Sequence, residues 1–290
     1  MRIFKSVCSN LFFPKSRLSI DAFRETAAFL AAHGIQGMEF YHDGDGPHKV
    51  GAALADHGLD GVYIAVIPLK ERSQHLCALD DENRRSALNT ARLGMDLAAD
   101  NGLGCVMVNS GRIEPGKLED QLEALENSFE RLFDYGAQRG YRLNLEMEPC
   151  DSVMDARQLM GPWRRTQTFV RRLNEKGLPL KLTMDTAHTV EEGEDFLEAL
   201  RAVRPWCSHV HYANCLIEHP EDPLYGDKHL GYDYPETVWT FKELEALTDR
   251  LEALYPKDTT LKIGLEALCR EDDPFAWFND VWRKMSFMRI

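Results

Sequence analysis

Apolar positions in this 290-residue chain follow two alternating patterns. The first is a continuous apolar run set off by a glycine. It recurs at Gly34 (HGIQGMEF), Gly58 (HGLDGVYIAV), Gly102 (NGLGCVMVNS), Gly140 (RGYRLNLEMEP) and Gly177 (KGLPLKLTMD). A glycine just past a helix takes the left-handed conformation at little cost and closes the last turn. The run that follows reads as a buried strand. The second pattern has helical period. Leu118, Leu122, Leu125, Phe129 and Leu132 step by three and four, as do Leu244, Leu247, Leu251 and Leu254. Ala87, Ala91, Met95 and Ala98 repeat the stripe in smaller side chains. Further strands are predicted at 3–8, 208–213 and 261–268. Eight strands, each followed by a helical segment, imply a parallel sheet. The expected fold is an α/β, single-domain (β/α)8 TIM barrel over residues 1–290.

Composition supports a large core and narrows the partners. Hydrophobic residues make up 44% of the chain, enough to exclude general disorder. The net charge of −13 opposes binding to phosphate backbones or anionic membranes, so neither nucleic acid nor membrane is an expected partner. The seven cysteines are scattered with no Cys-x-x-Cys pair, which reads as reduced thiols. No stretch is long and apolar enough for a signal peptide or a membrane span, and a cytoplasmic protein is expected.

In a barrel of this kind the chemistry gathers at the C-terminal ends of the strands. Those ends carry Glu39, Asn109, Glu146 with Glu148, Asp185, His211 and Glu266. Buried charges cost several kcal/mol unless paired or bound to metal, so apolar strands that repeatedly end this way call for a reason. Glu148, Asp185, His211 and Glu266 form a set of three carboxylates and one imidazole. Oxygen-rich ligation with one nitrogen suits Mn2+, Mg2+ or Co2+. Glu146 lies two residues before Glu148, on the same side of its strand and roughly 6.6 Å deeper. It reads as a structural carboxylate, and His209 as a hydrogen-bonded core histidine. The segment 111–117 (GRIEPGK) nearly spells a phosphate-binding P-loop. Leu118 stands where Ser or Thr would hold Mg2+, so nucleotide binding is set aside, and the segment, which follows strand four, is expected at most to help close the pocket.

The motifs NLEMEP, TMDTAHT, SHVHYANC and IGLEAL, in this order at the ends of consecutive strands, resemble the xylose isomerase-like barrel superfamily. Within it, the chain is similar to the sugar isomerase and epimerase group, which includes tagatose 3-epimerase. The resemblance runs over essentially the whole chain. It implies one divalent ion, Mn2+ first, with Mg2+, Co2+ and Zn2+ as alternatives. It places the ion on Glu148, Asp185, His211 and Glu266, and gives His188 to the substrate. It also implies a sugar-like substrate and a homo-oligomer. Where these epimerases carry an arginine after the strand-seven histidine, this chain has Cys215, Leu216 and Ile217. The long irregular stretch 214–234 holds YGDKHLGY instead, and is expected to order over the strand ends as a lid.

The mechanism so implied is proton transfer through an enediolate, with Glu148 and Glu266 as the acid–base pair. Glu39, Asn109, His188, Asp227 and His229 are the expected substrate contacts. The alternatives are a dehydratase acting on an inosose or dehydroshikimate-like compound, and, further off, an apurinic-site endonuclease or a non-enzymatic binding module.

Overall fold

Each apolar run becomes a strand. A computed structural model describes residues 1–289. Its strands are β1 (Arg2–Cys8), β2 (Gly37–Phe40), β3 (Asp60–Ile64), β4 (Cys105–Val108), β5 (Asn144–Met147), β6 (Lys181–Asp185), β7 (Cys207–Tyr212) and β8 (Thr260–Leu265). They pair in parallel and in sequence order, and β8 closes on β1. Helices connect them on the outside, giving a single (β/α)8 barrel. The helix Leu118–Arg139 buries Leu125, Phe129 and Leu132 completely. It ends at Gly140, whose φ of +69° would strain any residue with a Cβ. The other four punctuating glycines also have positive φ. Phe12 and Phe13 pack on Phe278 at 5.4 and 5.6 Å, tying the segment after β1 to the helix Pro274–Lys284. No helix among the described residues is long and apolar enough to cross a membrane.

The barrel interior is divided. On one side Val62, Cys105 and Met107 form a small apolar cluster. On the other, β2 and β5 to β8 send polar side chains inward. The β6–β7 register slips by one residue after Leu182, setting Thr183 opposite His209 and Asp185 opposite His211. That slip puts the polar residues of the two strands at matching depths. Gly264 of β8 lies level with His211 and with Ser6 of β1. A Cβ there would come within 2.5 Å of Glu39 Oε1 and 2.8 Å of His211 Cδ2. The missing side chain lets Glu39 reach from β2 past β1 and β8 to β7.

Candidate metal centre and the cavity above it

Four side chains meet at the C-terminal end of the barrel. Glu148 follows β5, Asp185 ends β6, His211 lies in β7 and Glu266 follows β8. Their potential ligand atoms lie within 4.8 Å of one another. His211 Nδ1 is 2.8 Å from Glu148 Oε1, 2.6 Å from Glu266 Oε2 and 4.0 Å from Asp185 Oδ2. Asp185 is fixed by its own helix. Its Oδ1 accepts the backbone N–H groups of Ala187 and His188, capping the helix Thr186–Glu191 and leaving Oδ2 for the cluster.

Three carboxylates therefore face one ring nitrogen that carries at most one proton. Glu148 accepts it. Asp185 Oδ2 and Glu266 Oε2 are buried with no hydrogen-bond partner, the short Glu266 contact lacking hydrogen-bond geometry. Burial, with Glu266 and Glu148 alongside, pushes the Asp185 carboxyl above its ordinary range. Excess negative charge and orphaned oxygens in a dry site are what a divalent cation relieves. The donor set of three carboxylates and one imidazole fits such an ion.

A second polar tier lies below. His211 Nε2 is 2.9 Å from Glu39 Oε2, so the far side of the ring is also held by a carboxylate. His209 Nε2 is 3.1 Å from Glu39 Oε1, and its Nδ1 is 2.8 Å from Glu146 Oε2. Thr183 donates to the same Glu146 oxygen at 2.9 Å. Burial opposes ionisation of Glu39 and Glu146, but the groups beside them outweigh it. His209 and His211 hold Glu39 well below the usual carboxylate range, and His209 with Lys262 holds Glu146 at about 2.

Above the cluster opens a cavity of about 400 Å³. Small-molecule sites span roughly 300–1,000 Å³, so it suits a compact ligand. Glu148, His211 and Glu266 line it, as do the expected contacts Asn109, His188, Asp227 and His229. Glu39 does not reach it. Expected at the rim as a substrate contact, Glu39 is fully buried, with both oxygens on the two histidines of β7. A carboxylate at a strand end can point into the barrel as well as out of its mouth, and here the space over Gly264 takes it inward.

The stretch after β7 folds across the cavity. His229 Nε2 lies 3.2 Å from Asp227 Oδ1 and 3.6 Å from Glu266 Oε1. Burial opposes protonation of His229, but Asp227 and Glu266 outweigh it and raise its pKa. The stretch is tied down on three sides. Lys70 pairs with Asp227 at 3.8 Å, Lys228 pairs with Asp155, and Leu268 N–H donates to His229 O at 2.7 Å. The cavity wall also holds Lys70, Arg112, Cys150 and Gln158, which no motif or period in the sequence marks out. Arg112 lies in the segment 111–117, which follows β4 and lines the pocket through this residue.

A (β/α)8 barrel with an oxygen-rich candidate cation site at its C-terminal mouth defines the class of protein. The chain belongs to the xylose isomerase-like TIM barrel family, whose model matches residues 27–245. No curated protein matches the sequence. Solved structures match over nearly the whole length. A 3-keto-D-glucoside 4-epimerase from E. coli is 18% identical with a TM-score of 0.69, covering 100% of this chain and 99% of its own. An L-ribulose 3-epimerase is 16% identical with a TM-score of 0.70, over 98% and 95%. A family 2 AP endonuclease from Brucella melitensis is 17% identical with a TM-score of 0.66, over 96% and 98%. At these identities the likeness is one of fold.

Proposed function

We propose that the chain is a divalent-metal-dependent isomerase or epimerase acting on a small sugar or sugar-like hydroxy-ketone. The observation that carries this reading is the convergence of Glu148, Asp185 and Glu266 on His211 Nδ1, with two carboxylate oxygens left unpartnered. The epimerase names among its structural neighbours agree with it. Manganese is the expected ion, with magnesium, cobalt and zinc as alternatives. An ion held by these four residues supplies a Lewis acid that makes the proton beside a carbonyl easier to remove.

The chain's own residues do the rest. Glu148 and Glu266 both line the cavity, on strands five and eight, and so flank a bound substrate. One removes the proton from the carbon beside the carbonyl, and the other returns it from the opposite face or to the neighbouring carbon. Asp185 is absent from the cavity wall and serves as a ligand only. Asn109 and His188 orient hydroxyl groups. His229, whose Nε2 faces both Asp227 and Glu266, exchanges protons with Glu266 at the cavity wall.

The same His229 could protonate a leaving hydroxyl, which is the one feature that favours a dehydratase. Elemental analysis of the purified protein, followed by incubation with a panel of ketoses, polyols and cyclic hydroxy-ketones, tests the reading. One equivalent of divalent metal and a product of unchanged mass are expected. Loss of water would point to a lyase. A metal-free protein with no turnover would overturn the assignment.

A further inference from the structure

The segment 111–117 lies at the cavity without a role in the proton transfer described above. Its backbone is fixed. Arg112 pairs with Gln158 in a short antiparallel bridge, flanked by hydrogen bonds from Ile113 N–H to Arg157 O and from Leu159 N–H to Gly111 O. The Arg112 carbonyl also accepts from Gln121 Nε2 at 3.0 Å and from Cys77 Sγ at 3.4 Å. Gly111, with φ of +93°, packs so closely on His75 that a Cβ would lie 2.5 Å from that residue's Cβ.

The side chain on this rigid mount is free. Of the two Lys or Arg residues lining the cavity, Lys70 is paired with Asp227. The Arg112 guanidinium has no carboxylate or hydrogen-bond partner among the described residues. An exposed arginine is ordinarily only solvated, and its neighbour is what distinguishes this one. Residues directly opposite in an antiparallel pair project to the same face, and Gln158 lines the cavity beside Arg112. Gln158 is 8% exposed. Its Oε1 accepts from Gly111 N–H at 2.9 Å and from Ser110 Oγ at 3.2 Å. A backbone N–H can only donate, so the oxygen end of the amide is assigned. The NH2 end is left with two donors and no protein partner. Burial, with Arg112 beside it, lowers the pKa of His75, so Arg112 supplies the positive charge of this corner.

We propose that Arg112 and Gln158 form an oxyanion subsite, and that the substrate of the metal centre carries a carboxylate or phosphoryl group at the end away from the reacting carbon. This rests on the cavity being the substrate site of the proposed isomerase. A guanidinium fork and an amide NH2 offer donors only, which the oxygens of an oxyanion accept. A sugar acid or a sugar phosphate meets that demand, and an uncharged ketose leaves the arginine unmatched.

The test is calorimetric binding of inorganic phosphate and of malonate to the metal-loaded protein, to Arg112→Gln, to Arg112→Lys and to Asp185→Ala. At least one anion should bind the parent and Asp185→Ala alike. Arg112→Gln should lose at least about tenfold in affinity, the scale of one charge-assisted hydrogen bond, and Arg112→Lys should fall between. The tighter anion identifies the class, phosphoryl or carboxylate. Equal binding to Arg112→Gln, binding lost only in Asp185→Ala, or no binding of either anion to the parent would each overturn the subsite. The readout needs no turnover. Anion binding that survives in a protein without isomerase activity sinks the isomerase reading alone, and isomerase activity with no Arg112-dependent binding sinks the subsite alone.

Discussion

His211 uses both ring nitrogens. Nδ1 faces the three carboxylates of the candidate metal centre, while Nε2 donates to Glu39. A carboxylate behind a metal-bound imidazole fixes its tautomer and raises its basicity. Glu39 therefore supports the candidate metal centre although it does not line the cavity. Glu39→Gln keeps the shape but offers only one acceptor oxygen for two histidines, and it aims an NH2 at an N–H donor. Metal affinity should fall by about 10–100-fold in chelator competition. Unchanged affinity would confine Glu39 to core packing. The sequence sets both Glu39 and Glu148 at the ends of apolar strands, and gives Glu148 to the metal and Glu39 to the substrate. Whether such a residue points up into the mouth or across the barrel depends on the strands around it. For Glu39 the deciding residue is Gly264, more than two hundred positions away in the chain.

At the scale of elements, the strands and their order are legible because five are apolar runs set off by a glycine and the other three are apolar runs between helical segments. The candidate ligands at the ends of β5 to β8 stand out in the sequence because a charge that ends such a run is costly unless it is paired or bound to a cation. The β6–β7 register slip and the Arg112–Gln158 bridge are not. Both depend on the relative register of two segments, which no local pattern in either one sets. Gly264 also reads only as part of a strand, and its function is to leave space. Gly264→Ala should force Glu39 and His211 apart and destabilise the protein by about 1–3 kcal/mol, the usual cost of overpacking. The denaturant midpoint should drop at constant slope, and an unchanged midpoint would mean that the network yields freely.

The length of the stretch after β7 is enough to predict that it lies over the strand ends, but not what holds it there. Its anchor is Asn214, fully buried at its root. Asn214 Nδ2 donates to Gly231 O and Thr237 Oγ1, and its Oδ1 accepts from Trp239 N–H. Asn214→Ala leaves these groups unpaired, at about 1–3 kcal/mol for each buried group left unsatisfied. Proteolysis within 215–240 should accelerate before the barrel itself is cut. Cleavage no faster than in the parent would mean that the ion pairs of Lys70 and Lys228 hold the stretch by themselves.

At the scale of the whole molecule, a −13 chain concentrates acidic groups where a cation fits and presents one unpaired arginine at the cavity wall. The fold is shared across the family, so fold alone does not choose among its chemistries. The proposed chemistry rests on the two glutamates that line the cavity. If Glu148 and Glu266 move the proton, turnover in heavy water must place deuterium on the carbon beside the substrate carbonyl. Glu148→Gln and Glu266→Gln keep an oxygen for the metal but lose the base, and each should slow turnover by about 10²–10⁴-fold. The decisive measurement is proton NMR of the substrate panel in heavy water with the parent and both variants. Deuterium uptake by the parent, abolished or slowed to that degree in each variant, is the predicted result. Turnover without deuterium uptake, or full activity in Glu148→Gln, would contradict the account.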